Sequence, residues 1–154
     1  MPPMTSLASQ SQANVAAIPL ILTSVILGAV GQLTMKTGFN VMKGAQGWGD
    51  LSFAQKLPHI FLNPNVLAGL ALYVIATFVW FAVLDKADLS FAYPFIALAY
   101  VVTMVGGRFL LGEHLNGWKY AAVALIIVGV LCLAKGASEK ATAAPLATPA
   151  SGQP

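Results

Sequence analysis

At 154 residues the chain is one domain long, yet 58% of its residues are hydrophobic and only 8% are charged, against roughly 25% charged in an ordinary soluble domain. A soluble fold of this size has too little interior to hide so much apolar surface, which points to the membrane. The net charge of +3 comes from eight Lys and Arg scattered around apolar segments, so there is no basic stripe for nucleic acid; the single cysteine, Cys132, rules out a disulfide framework and has no metal-ligand spacing around it.

A helix crosses the hydrocarbon core with about 20 apolar residues, because its backbone polar groups must be satisfied within the segment. Residues 1–16 contain no Lys or Arg, unlike the basic start of a secretory signal peptide. They are read as a flexible segment ahead of a first span that stays in the mature protein. That span covers 17–35. The connection 36–65 is glycine-rich at Gly44, Gly47 and Gly49, then carries Leu51, Phe53, Leu57, Ile60 and Phe61 among polar residues. It reads either as a short interfacial helix or as a loop tethered by apolar anchors. The second span covers 66–84. The third covers 89–111, with Pro94 expected to open a gap in its hydrogen-bond ladder and Arg108 near its end. The fourth covers 115–134, with Lys119 one turn inside, where its stem can carry the ammonium to the headgroups, and with Cys132 as a small packing residue. The transmembrane domain is thus 17–135, and 136–154, rich in Ala, Thr and Pro, is a disordered tail.

The fold class predicted is all-α: a four-transmembrane-helix bundle forming one half of a dimer. Tight connections at 85–88 and 112–117 make the second, third and fourth spans antiparallel neighbours. Lys36, Lys43, Lys56, Arg108 and Lys119 flank one side of the membrane, against Lys86, Lys135 and Lys140 on the other. This bias favours loops 1 and 3 in the cytoplasm.

No phosphate-binding glycine loop, nucleophile elbow, Cys and His cluster or paired carboxylates are present, so no enzyme, cofactor or metal is expected. Asp50, Asp85, Asp88, Glu113 and Glu139 all fall in loops or at helix ends, whereas proton-coupled cation export relies on a carboxylate at membrane depth. The polar groups inside the spans are Thr23, Ser24, Gln32, Thr34, Tyr73, Thr77, Ser90, Tyr93, Tyr100 and Thr103. The hydroxyls are expected to hydrogen-bond between helices. Gln32 has a carboxamide to satisfy and lies one turn from Lys36 on the same face, so the pair is a candidate lining for a polar cavity. Arg108 either snorkels to the interface or meets an anionic headgroup.

Gly31-Gln32-Leu33-Thr34-Met35-Lys36, Ala92-Tyr93-Pro94 and Gly112-Glu113-His114-Leu115 together resemble the four-helix, small multidrug resistance-like branch of the drug and metabolite transporter superfamily, also described as EamA-like. The resemblance is greatest to the subunits that flip aminoarabinose linked to undecaprenyl phosphate, and it covers about residues 18–134. Drug exporters of this branch carry an essential glutamate eight residues before the lysine matching Lys36; here that place is Gly28. The lipid-sugar flippases lack that glutamate.

The resemblance implies a transporter subunit of the bacterial inner membrane, a flippase of a polyprenyl-phosphate-linked sugar or similar anionic lipid, working as a homodimer or with a related four-helix subunit. Gln32, Lys36, Tyr93, Pro94, Tyr100, Arg108 and Glu113 are the candidate substrate-binding residues. The fourth span, with Ala122, Leu125, Ile126 and Gly129, resembles the family's dimerisation stretch, small residues permitting close approach, although an Ala stands where Gly is usual. Two other readings stay open: a small-molecule exporter of the multidrug type, and a non-transporting subunit of a larger membrane complex.

Overall fold

The computed structural model describes residues 4–143 of the chain. In chain order its helices are α1 (Met4–Lys43), α2 (Phe53–Leu62), α3 (Pro64–Lys86), α4 (Leu89–Ile96), α5 (Leu98–Leu110) and α6 (Gly117–Ala143). Among the described residues, four helical segments are long and apolar enough to cross a membrane: Ser9–Lys43, Pro64–Lys86, Leu89–Leu110 and Gly117–Glu139. The four-span, all-helical architecture predicted from hydropathy is what the chain adopts.

Helix α1 is the hub, packing against α3, α4, α5 and α6. Its seam with α3 is made by absent side chains. A Cβ on Gly31 would stand 2.7 Å from the Gly69 carbonyl oxygen, and one on Gly69 would stand 2.5 Å from the Gly31 oxygen and 2.7 Å from the Met35 nitrogen. The two backbones therefore touch, which in a membrane supplies the van der Waals contact that a hydrophobic drive cannot. Further along, a Cβ on Gly38 would meet Asn63 Oδ1 at 2.8 Å.

The well-buried core gathers at one end of the bundle. Ala17, Ile21 and Val25 of α1 meet Val83 and Ala87 at the end of α3, Phe91, Ala92 and Phe95 of α4, and Val130 of α6. A polar knot ties this end. Asn14, buried, accepts from the Asp88 N–H (2.8 Å) and donates Nδ2 to Asp88 Oδ2 (2.9 Å). Gln10 Nε2 donates to Asp88 Oδ1 (2.8 Å), and the Ser11 hydroxyl donates to the Ala137 carbonyl (2.7 Å).

That knot explains a difference from the sequence reading. Residues 1–16, expected to be flexible, are helical from Met4 onward; the polar side chains at 10, 11 and 14 find partners at Asp88, the N-cap residue of α4, and at Ala137 of α6. At the far end, α6 continues to Ala143 through residues expected in the disordered tail, since alanine is the best helix former; residues 144–154 of that tail lie outside the described residues. The alternative left open for 36–65 resolves as a helix. At the start of α2, Ser52 Oγ accepts from Gln55 N–H while Gln55 Oε1 accepts from Ser52 N–H, a reciprocal cap on an amphipathic segment. Its apolar residues Phe53, Phe61 and Leu62 are exposed, as suits a helix lying in the headgroup layer.

Among local contacts, the gap expected at Pro94 is present, while the hydroxyls and Cys132 depart from expectation. The third span is two helices: the Ala97 N–H bonds the Pro94 carbonyl and the Tyr100 N–H bonds the Ala97 carbonyl, a three-residue spacing that breaks the ladder just after the proline. The hydroxyls of Thr23, Ser24, Thr34, Thr77 and Thr103 bond carbonyls three or four residues back in their own helix rather than crossing between helices, which satisfies them locally. Cys132, expected to pack inside, lies on the exposed face of α6, which is thinly attached to its neighbours.

Candidate functional site

Away from the packed end, α1, α5 and α6 separate around a cleft of about 550 Å³, within the range that holds small ligands. Each helix offers one face at helical spacing. Helix α1 contributes Gln32, Leu33 and Lys36; α5 contributes Tyr100, Thr103, Met104 and Gly107; α6 contributes Lys119, Ala122, Val123 and Ile126; and the turn between α5 and α6 adds Leu111, Glu113 and Leu115. The break at Ala97 marks the change in role, since α4 buries Phe91, Ala92 and Phe95 in the packed end while α5 walls the cleft.

The charged groups meet at the turn. Lys36 Nζ lies 3.3 Å from Glu113 Oε1, with both side chains about half exposed. The Glu113 N–H donates to the Gly107 carbonyl at 2.9 Å. A Cβ on Gly107 would come 2.9 Å from Glu113 Oε2, so the carboxylate lies directly over this glycine. Lys119 brings a second ammonium to the lining. Two lysines and a glutamate thus face a wall otherwise made of Leu33, Met104, Leu111, Leu115, Val123 and Ile126. Such an arrangement suits an amphiphile whose polar head carries charge.

Of the residues proposed from sequence, Gln32, Lys36, Tyr100 and Glu113 come together in this cleft. Tyr93 does not: its ring packs edge-on against Trp80, 5.9 Å between centroids, and Pro94 beside it is exposed. Arg108 is exposed on α5 next to Gly107 but outside the lining. The residues proposed for a dimer interface divide, with Ala122 and Ile126 on the cleft wall, Leu125 exposed, and Gly129 with no atom within 4 Å of a built Cβ. Thr103, Met104 and Lys119 went unnoticed as lining residues. Their spacing from Tyr100 and from Ala122 along the helix was the signal that could have found them. Gly28, at the position of the drug exporters' glutamate, faces α3, where its Cβ would touch Ala76 at 3.8 Å. No group of three His, Cys, Asp or Glu among the described residues could hold a metal ion.

Known proteins share most of this chain. It is 34% identical over 125 residues to the probable 4-amino-4-deoxy-L-arabinose-phosphoundecaprenol flippase subunit ArnF of Shewanella sediminis, covering 73% of this chain and 83% of that protein. It is 30% identical over 116 residues to the probable 4-amino-4-deoxy-L-arabinose-phosphoundecaprenol flippase subunit ArnE of Pseudomonas fluorescens, covering 74% and 93% respectively. A third relative, the uncharacterized protein y4nH of Sinorhizobium fredii, is 26% identical over 124 residues, covering 80% and 98%. No protein-family model matches the chain, and no solved structure does. With its four spans and this degree of identity, the chain belongs to the family of the aminoarabinose-phosphoundecaprenol flippase subunits.

Proposed function

We propose that this protein is a transporter subunit that flips a polyprenyl-phosphate-linked sugar across the bacterial inner membrane, and that it changes no covalent bond. The observation that carries the reading is the cleft itself, which Lys36, Lys119, Glu113 and Gln32 line together with apolar side chains of α1, α5 and α6. The names of the relatives supply the substrate class.

In this reading the sugar phosphate enters the cleft while the polyprenyl tail stays in lipid. Lys36 and Lys119 meet the phosphate charge, each through a charge-assisted hydrogen bond. Gln32, Tyr100 and Thr103 offer their polar groups to sugar hydroxyls. Arg108, outside the lining, acts as a headgroup anchor at the rim, and Tyr93-Pro94 marks the joint between packed end and cleft rather than a contact to the ligand. Alternating exposure follows when α5 and α6 rock against the α1–α3 pair. Four helices enclose the path only from some sides, so a second four-helix subunit, the same or related, completes it. Exposed Leu125 and Gly129 on α6 leave a surface for that partner. Loops 1 and 3 face the cytoplasm.

The test is movement of a fluorescent polyprenyl-phosphate sugar in vesicles containing the purified chain, alone and with a co-expressed related subunit. Quenching from outside should reveal lipid crossing the bilayer faster than in empty vesicles. Rates equal to empty vesicles in both preparations overturn the proposal.

A further inference from the structure

For a headgroup whose only charge is a phosphate, Glu113 is a liability. Its carboxylate repels the phosphate and occupies Lys36, one of the two cations that would receive it. Yet the fold keeps it in the cleft. Gly112 adopts a φ of 65°, a left-handed conformation that glycine tolerates at no steric cost, and so turns the chain back at the end of α5. The Glu113 N–H is then fixed on the Gly107 carbonyl at 2.9 Å, and the missing Cβ of Gly107 leaves room for the carboxylate. A glycine turn and a backbone hydrogen bond thus keep an anion beside Lys36, in a cleft that Lys119 also lines.

The geometry points to Glu113 as the residue that selects a headgroup bearing a cationic amine. The inference rests on the lipid-linked sugar reading of the cleft. On binding, Glu113 exchanges Lys36 for the ammonium of the sugar, and Lys36 passes to the phosphate beside Lys119. The exchange is easy because an ion pair between half-exposed groups is weak. It also gives each charged group of the ligand a partner of opposite sign: the cleft offers cations for the phosphate and one anion for the amine, whereas a neutral sugar leaves Glu113 to compete with the phosphate for Lys36.

The test uses the full chain in lipid nanodiscs and two short-chain fluorescent polyprenyl phosphates, one carrying an amino sugar and the other the same sugar with a hydroxyl in place of the amine. Wild type should bind the amine form about tenfold more tightly, the worth of one charge-assisted hydrogen bond. In Glu113→Gln that preference should collapse to within about twofold, chiefly through weaker binding of the amine form, while Glu113→Asp should retain part of it. Lys36→Gln should instead weaken both forms. Equal binding of the two lipids by wild type, or an equal loss of both in Glu113→Gln at unchanged thermal stability, overturns the inference. Flipping is scored separately in vesicles. Selective binding without movement would sink the flippase reading alone, and movement of both lipids at equal rates with equal affinity would sink the selectivity alone.

Discussion

Toward α3, Gly31 and Gly69 bring two backbones into contact, and at the packed end Asn14 clasps Asp88 through two hydrogen bonds. Toward α5 and α6, Gln32, Leu33 and Lys36 line a cleft of about 550 Å³. One helix thus serves both as a sealed seam and as a cavity wall. The difference lies in which residues recur: glycines where α1 meets the α3 backbone, and a carboxamide and an ammonium where it faces the cleft. The rocking proposed for α5 and α6 would use this division, with the close-packed α1–α3 pair as the part they move against.

The most disruptive way to break the comparison is to fill the seam. In Gly69→Leu even the first added carbon lands 2.5 Å from the Gly31 oxygen, so the backbones must part. The loss should reach or exceed the upper end of the roughly 1–3 kcal/mol typical of overpacking, read as a lower unfolding temperature in mild detergent. A wild-type unfolding temperature would show that the seam is looser than described.

Next comes the knot. Asn14→Ala removes both bonds to Asp88 and leaves its backbone N–H without that acceptor, which should cost about 1–3 kcal/mol and speed proteolysis of the first helical turns. Equal proteolysis of variant and wild type would remove the knot from the account of the closed end.

On the cleft side the same chemistry should spare the fold and harm the binding. Lys36→Gln deletes a half-exposed ion pair to Glu113, worth about 0–1 kcal/mol to stability, but should reduce lipid binding about tenfold. If stability fell further than binding, Lys36 would belong to the scaffold instead.

The smallest effect on the fold should come from Gly129→Leu, since nothing lies within 4 Å of a Cβ there. Stability should stay within about 0.5 kcal/mol of wild type, as for surface substitutions generally. Cross-linking should show fewer dimers if Gly129 meets a second subunit, and an unchanged dimer fraction would move the interface away from this part of α6.

Hydropathy made the spans legible, and the four-residue spacing of Gln32 and Lys36 placed both on the cleft. The rest depended on partners that spacing cannot name. Small residues suggest close packing in α6, at Ala122 and Gly129, whereas tight approaches lie between Gly31 and Gly69 and between Gly106 and Leu33, because a glycine shows that something comes near without showing what. Asn14 and Asp88 stand 74 positions apart, and nothing local ties them. Tyr93 was selected from its motif, yet the Trp80 ring beside it decides where it points. The hydroxyls were misjudged for a simpler reason: a threonine in a helix always has its own upstream carbonyl within reach.

The hub position of α1 also bears on how the chain assembles as it leaves the ribosome. Its seam with α3 is available once the second span has inserted, so an α1–α3 hairpin can close while the later helices are still being made. Helix α6, emerging last, finds only a shallow seat at the packed end around Val130. Docking of α6 is therefore the step at which the cleft acquires its third wall.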